Sequence, residues 1–278
     1  MLDRAENQPG SPPADLKTAP RLVEFRGAGF MPRAGRTSGW IALALVIGFW
    51  QLAGSAGWVN PLFLPAPSAI AVAIYKLAVS GALWHHLSWS IMRIGTGWIL
   101  GTIAGVIVGF AIGLSGLARG VGITFISALF PIPKIALLPL LILWLGIGEQ
   151  PKIATIALGV FFSTAISVYS GVDAVPRNLI RMAQSFNVPF HAIVRRVIWP
   201  GALPSILAGF RITASVALLL VVSAEMIGAE YAIGAFVLQA GNLMQTDQLL
   251  AGVVILSLFG LAVGRLINLL EARLLHWR

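Results

Sequence analysis

Residues 176–204 read PRNLIRMAQSFNVPFHAIVRRVIWPGALP and lie between two strongly apolar blocks. The apolar side chains of this stretch recur at three- and four-residue steps, the spacing that gathers side chains on one face of an α-helix. They are Ala183, Phe186, Phe190, Ile193, Val194 and Val197. Pro189 cannot continue a helix interior but suits a first turn. The stretch therefore predicts a hairpin of two short helices outside the bilayer, with Asn187 and Val188 at the joint.

The composition of the chain is that of an integral membrane protein. Hydrophobic residues make up 58% of the 278 positions and charged residues 10%, against about 25% charged residues in an ordinary soluble domain. The absence of cysteine excludes disulfides and thiolate metal sites. The net charge of +9 comes from basic residues scattered between apolar spans, which does not favour nucleic-acid binding and indicates cytoplasmic retention of positive charge.

Six apolar segments are about long enough to cross a bilayer. They are residues 39–57, 88–114, 121–145, 153–171, 205–227 and 249–270. Pro131, Pro133 and Pro139 predict a kink or a local break in the third segment, because proline removes a helical hydrogen bond. The expected fold class is an all-α polytopic membrane protein with about six transmembrane helices.

The distribution of charge predicts how these segments are oriented. Residues 1–38 are rich in proline and in charged side chains, which indicates a disordered cytoplasmic tail before a membrane domain at 39–278. Residues 60–87 are expected outside, in part as a short helix on the membrane surface. Residues 229–248 carry no Lys or Arg, as expected of the outer face. Both termini and the hairpin at 176–204 are then expected on the cytoplasmic side.

Several dispersed motifs resemble one family of membrane proteins. Seven hairpin residues have the spacing of the EAA loop of ABC importer permeases: Arg181, Met182, Ala183, Asn187, Val197, Trp199 and Pro200. The motifs LPAP at 64–67, IPK at 132–134, LWLGIG at 143–148 and AEM at 224–226 are similar to the nitrate/sulfonate/taurine branch of that family. Two hairpin positions depart from the pattern: Arg181 stands where the family usually has Glu, and Asn187 where it has Gly. Asn also accepts a left-handed turn.

The resemblance implies a fold like that of a type I ABC importer permease and a role as its membrane subunit. It implies no covalent catalysis, no cofactor and no metal. The implied partners are a second permease copy, two ATPase subunits, an extracytoplasmic solute-binding protein and the lipid of a bacterial inner membrane. The implied solute is a small anion of the sulfonate, taurine, nitrate or bicarbonate class. The residues implied to couple the hairpin to the ATPase are Arg181, Met182, Ala183, Phe186, Asn187, Phe190, Val197 and Pro200.

Other residues are candidates for packing or for the solute pathway. Five glycines recur at four-residue spacing and predict close packing with a neighbouring helix: Gly97, Gly101, Gly105, Gly109 and Gly113. Ionisable groups inside membrane spans usually face a bundle interior or a wet cavity. Lys134, Arg211 and Glu225 are therefore tentative pathway residues, although structural pairing would explain them equally well. Arg93 is expected to extend toward a membrane interface.

Three alternatives remain open at this level. The sequence GLSG at 113–116 matches the G-x-S-G of rhomboid-type intramembrane serine proteases, but that chemistry needs a His within reach of the Ser. An ion-driven secondary carrier would require acidic residues near the membrane midplane, which the acids of this chain avoid. The hairpin alone could be a basic amphipathic helix resting on anionic lipid. The chain carries no G-x-x-x-x-G-K-[ST] phosphate loop, so ATP would have to be bound by another subunit.

Overall fold

The computed structural model describes residues 37–274, and these residues form helices and connecting turns without a β-strand. Residues 1–36 of the predicted tail at 1–38, and residues 275–278, lie outside the described residues. In chain order the helices are α1 (Ser38–Ser55), α2 (Pro67–Val79), α3 (Ala82–Leu114), α4 (Gly116–Leu129), α5 (Leu138–Leu145), α6 (Gln150–Asp173), α7 (Arg177–Ser185), α8 (Phe190–Ile193), α9 (Trp199–Gly228), α10 (Ile233–Asn242) and α11 (Thr246–Leu274). A compact unit begins at Trp50 and includes every later helix.

Four helices of the described range are long and apolar enough to cross a membrane. They are α3, α6, the continuous helix formed by α8 and α9, and α11. The segment from α4 to α5 makes a fifth span if its two bent halves are counted together. The first predicted span is present as α1, which is apolar but shorter. The all-α polytopic fold is thus confirmed, with the predicted spans recognisable in chain order.

Helix α3 begins at Ala82, six residues before the predicted start of its span, and packs along α6. Each of the five glycines at four-residue spacing faces a side chain of α6, and these α6 residues recur at the same four-residue spacing. The pairs are Gly97 with Ile156, Gly101 with Val160, Gly105 with Thr164, Gly109 with Val168, and Gly113 with Val172. A Cβ atom built on Gly109 would lie 2.6 Å from Cβ of Val168. The two backbones therefore approach one another closely because α3 has no side chain at these positions.

The third predicted span is broken, as its prolines indicate. Helix α4 ends at Leu129, and a short 3-10 turn at Lys134–Leu137 leads into α5. The two halves are bent by 86°. Helix α4 begins five residues earlier than predicted because the Ser115 hydroxyl accepts a hydrogen bond from the Ala118 amide and caps the helix.

The second half of the hairpin differs from the prediction. Helix α8 does not end before the fifth span, because a π-helical turn at Val194–Ile198 joins it to α9 in one helix of 39 residues. The amide of Trp199 donates to the carbonyl of Val194 within this wide turn. Pro200, which has no amide proton to donate, follows this wide turn at once. The predicted boundary near residue 205 was therefore wrong, since Pro204 is accommodated inside the helix.

The short helix predicted within residues 60–87 is confirmed as α2. Ile70 and Ala73 of this helix are buried against Ala251 of α11. Pro67 opens α2 in the first-turn position that suits proline. Helix α2 is thereby part of the packed unit.

Candidate functional site

The joint of the hairpin is a left-handed turn centred on Asn187, whose φ is +55°. The amide of Val188 donates to the carbonyl of Ala183 at 3.1 Å, and the amide of Asn187 donates to the carbonyl of Gln184 at 2.9 Å. This pair of bonds is a Schellman motif, which satisfies the last carbonyls of α7. Val188 and Ala183 also pack against the same hydrophobic core cluster. Asn187 thus supplies the conformation that the resembling family obtains with Gly.

The residues implied to couple to an ATPase fall into two groups in the structure. Met182, Phe186 and Phe190 are exposed, and the last two bracket the turn. Arg181 and Asn187 are exposed on the same hairpin. The other three are half-buried: Ala183 and Val197 pack against the core cluster, and Pro200 lies in the first turn of α9. The exposed apolar surface of the hairpin is therefore formed by large side chains and not by Ala183.

Apart from the hairpin, a cluster of polar side chains is buried where the N-terminal parts of α3 and α6 meet the C-terminal end of α9. Arg93 of α3 binds Glu149 through both Nε and Nη2. Its Nη1 donates to Glu225 of α9 at 3.0 Å and to the carbonyl of Tyr231 at 2.9 Å. Lys152 donates to Glu149 at 3.1 Å. The hydrogen bonds from Arg93 hold the pKa of Glu149 below its ordinary value, so this carboxylate is ionised at neutral pH.

The same cluster caps the N-terminus of α10 with three side chains. The amide of Ala232 donates to Nδ1 of His86, that of Ile233 to Oγ of Ser90, and that of Gly234 to Oε2 of Glu225, at 3.1, 3.2 and 3.1 Å. The first amides of a helix have no partner within the helix, and a carboxylate placed there also interacts favourably with the helix dipole. The cluster therefore joins α3, α6, α9 and α10.

Arg93 corrects one expectation from the sequence. It does not extend to an interface but is buried, with 1% of its surface exposed. No local pattern in the sequence indicates this burial, because the acidic partners of Arg93 lie 56 and 132 positions away. A hydrophobic span that contains one Arg is consistent with snorkelling or with a buried ion pair, and only the packing of the helices distinguishes the two.

The other tentative pathway residues are engaged elsewhere. Nζ of Lys134 donates to the carbonyls of Leu129, Phe130 and Ile132 at 3.0, 2.7 and 2.7 Å. All three ammonium protons of Lys134 are therefore donated to backbone carbonyls at the break after α4. Arg211 is exposed and pairs with Glu271 of α11 at 2.5 Å. Glu225 is the one member of the tentative set that belongs to the buried cluster. Within residues 37–274, no three His, Asp or Glu side chains are grouped as metal ligands.

Comparison with known proteins identifies the family. A family model described as "Binding-protein-dependent transport system inner membrane component" matches residues 101–276. A permease protein of Bacillus subtilis (strain 168) named for aliphatic sulfonate transport is 35% identical over 246 residues, which cover 88% of this chain and 89% of that protein. The taurine transport system permease protein of Escherichia coli (strain K12) is 35% identical over 240 residues, covering 84% of this chain and 87% of that protein.

Two solved structures share the fold. A chain of an amino acid ABC transporter matches with a TM-score of 0.57 at 16% identity, covering 72% of this chain and 97% of that chain. A chain of the inward-facing MetNI methionine ABC transporter matches with a TM-score of 0.51 at 22% identity, covering 68% and 94%. At these identities the structures support the fold alone, whereas the family model and the curated relatives match most of the sequence. The chain therefore belongs to the binding-protein-dependent transport system inner membrane components, a family of ABC transporter permeases, as its motifs predicted.

Proposed function

We propose that this chain is the membrane subunit of an ATP-driven importer, and that two copies of it together form the pathway for a small anionic solute. The sulfonate or taurine class is favoured because two relatives at 35% identity are named for those solutes. In this proposal ATP is hydrolysed on two separate ATPase subunits, and an extracytoplasmic solute-binding protein delivers the solute. Both termini and the hairpin face the cytoplasm of a bacterial cell.

The observation that carries the proposal is the exposed apolar surface around the hairpin turn. Large apolar side chains that cost free energy in water mark a surface that another molecule covers. Met182 and Phe186 stand four residues apart at the end of α7, the spacing by which a short helix is held in a groove of a partner, and Phe190 opens α8 on the other side of the turn. The Schellman turn fixes their relative positions, so the hairpin can transmit motion of the partner to α9 as a rigid body.

The continuity of α8 with α9 supports this mechanism. A force on the hairpin acts directly on a helix of 39 residues that ends at Gly228. The far end of that helix carries Glu225, which is bonded to α3 and α10. Movement of the hairpin would therefore reach the opposite end of the bundle without passing through a flexible loop.

The alternative enzymatic reading has a structural explanation instead. Ser115 of the GLSG sequence accepts a hydrogen bond from the Ala118 amide as the cap of α4. A capping hydroxyl needs no catalytic base. The ion-driven carrier gains no support either, because Glu225 is bonded to Ser90, Arg93 and the Gly234 amide.

The proposal is tested by reconstitution. The permease is expressed with the ATPase and solute-binding protein of the same organism, purified as a complex and placed in proteoliposomes. We expect the ATPase to co-purify and radiolabelled taurine or ethanesulfonate to accumulate only when ATP is supplied on the ATPase side. Uptake that persists without ATP, or a permease that never associates with an ATPase, would refute the proposal. ATP-driven uptake of a different solute would refute only the sulfonate assignment.

A further inference from the structure

The two acids bonded to Arg93 are held in different ways. Glu225 is fully buried, with 0% of its surface exposed, and receives hydrogen bonds from Ser90, Arg93 and the Gly234 amide. The Glu149 side chain is 33% exposed. Among the described residues its hydrogen bonds come from Arg93 and from Lys152 in the first turn of α6, which Glu149 precedes. Arg93 is therefore the side chain through which Glu149 is bonded to another helix.

This difference determines which of the two ion pairs opens more easily. Separating Arg93 from Glu225 would leave a carboxylate buried away from water with an uncompensated charge, which is strongly unfavourable. Separating Arg93 from Glu149 leaves Arg93 bonded to Glu225 and to the Tyr231 carbonyl, while Glu149 gains water and keeps Lys152. The second separation leaves no charge unpaired in the interior.

The backbone next to Glu149 is suited to a change of conformation. It belongs to the turn between α5 and α6, in which Gly146 and Gly148 have φ values of +82° and +154°. Ile147 between them is 96% exposed. Glycine adopts positive φ without a steric penalty and has more alternative conformations available than other residues. Below this turn, α3 and α6 are held together by the glycine contacts that begin at Gly97, so an opening would begin at the ends of the two helices.

We propose that the Arg93–Glu149 ion pair is a releasable latch between α3 and the turn before α6, and that Arg93–Glu225 is its permanent anchor. The inference rests on the proposed transport function. The latch closes the end of the bundle opposite the hairpin, and it opens when ATP-driven movement of α9 shifts Glu225 and, with it, Arg93. Arg93 and Glu149 are then positioning residues of the transport cycle, while Glu225 keeps Arg93 in place.

A single introduced thiol can report the opening, because the chain contains no cysteine. Thr155 lies on α6 three residues after Lys152 and is fully buried, with 0% exposure. The experiment measures the rate at which a membrane-impermeant maleimide labels Thr155→Cys in the permease–ATPase complex, with its solute-binding protein, in proteoliposomes. We expect slow labelling without ATP and labelling several-fold faster during ATP hydrolysis. Adding Glu149→Gln to Thr155→Cys should make labelling without ATP as fast as labelling of Thr155→Cys alone during ATP hydrolysis. It should also raise the amount of ATP consumed per solute imported.

Matched variants separate the latch from a general loss of structure. Asp173→Asn removes the acid of another interhelical ion pair, with Arg119, at the opposite end of α6, and should leave the labelling rate of Thr155→Cys unchanged. Glu149→Asp keeps the charge with a shorter reach and should give an intermediate rate, so the test does not depend on the insertion of Glu149→Gln alone.

The outcomes of the test are distinct. If the complex imports solute but neither ATP nor Glu149→Gln changes labelling, the latch is wrong and the proposed function stands. If ATP accelerates labelling while Glu149→Gln does not, the opening occurs without release of this ion pair, and the latch is again refuted. If the wild-type complex imports nothing in the presence of ATP, the proposed function fails, and the latch fails with it as a transport element.

Discussion

Phe186 has 76% of its surface exposed next to a turn whose backbone is fixed by hydrogen bonds. If this ring fills a pocket on an ATPase, Phe186→Ala should weaken the association by about 2 kcal/mol or roughly 30-fold, as expected for a central aromatic anchor. The measurement is the affinity of the ATPase for the permease in detergent or nanodiscs. Phe63 is a matched control, because it is also 76% exposed but lies in the turn before α2. Equal affinities for Phe186→Ala and Phe63→Ala would contradict the coupling role.

Asn187 allows a test of the turn itself. Its φ of +55° is a conformation that glycine adopts without cost and that β-branched residues rarely adopt. We expect Asn187→Gly to retain ATPase association and uptake, and Asn187→Val to destabilise the hairpin by about 1–3 kcal/mol. Limited proteolysis of the hairpin, together with uptake, measures both effects. Wild-type protection of the hairpin in Asn187→Val would show that the left-handed turn is not required.

For single residues, a structural feature was predicted correctly when the residues that cause it are neighbours in the sequence. The turn at Asn187 follows from its own side chain and from the end of α7, so the sequence predicted it. The partnership of Arg93 with Glu149 and Glu225 depends on how three helices pack, and no spacing in the chain encodes it. For the same reason the sequence does not show that Arg211, a tentative pathway residue, lies exposed beside Glu271.

The contact between α3 and α6 gives a prediction at the scale of the element. A Cβ atom on Gly109 would lie 2.6 Å from Cβ of Val168 and 2.8 Å from the carbonyl oxygen of Ala165, whereas one on Gly95 has nothing within 4 Å. We expect Gly109→Ala to destabilise the protein by about 1–3 kcal/mol through overpacking. Gly95→Ala on the same helix should be neutral or stabilising by up to about 1 kcal/mol, because Ala favours helix more than Gly.

The midpoint of thermal unfolding of each purified variant, measured in the same detergent, checks this pair. If the midpoint for Gly109→Ala is at or above that for Gly95→Ala, the contact between α3 and α6 at residue 109 accommodates a Cβ atom and the prediction is wrong. The comparison holds the substitution and the helix constant, so the difference reports the contact alone.

The order of the apolar helices was predicted well because long apolar segments and glycine spacing are properties of the local sequence. Their ends were predicted less well. The fifth span is predicted to begin at residue 205, yet the helix that follows the wide turn continues through both Pro200 and Pro204. The proline-rich third span was correctly expected to break, since α4 ends before Pro131 and Pro133 precedes the 3-10 turn.

For the whole molecule, the orientation in the membrane is the decisive prediction. A reporter enzyme that functions only outside the cell should be active when fused after Asn60 or Asn242 and inactive after Arg177 or Arg278. The reason is that the basic residues concentrate on the side assigned to the cytoplasm. Activity measured in intact cells, normalised to the amount of fusion protein, decides it. An active fusion after Arg177 would place the hairpin outside and exclude contact with a cytoplasmic ATPase.

The regular glycine contact has a consequence for folding. Because the same small-against-large pairing recurs every four residues on both helices, sliding α3 past α6 by one repeat, about 6 Å, would recreate most of the contact. The apolar interface therefore specifies that the helices pair, but hardly discriminates between neighbouring alignments. Two ion pairs near its ends, Arg93 of α3 with Glu149 before α6 and Arg119 of α4 with Asp173 of α6, form only in one alignment. The carboxylates of these ion pairs therefore select one alignment among several that the apolar contact alone would allow.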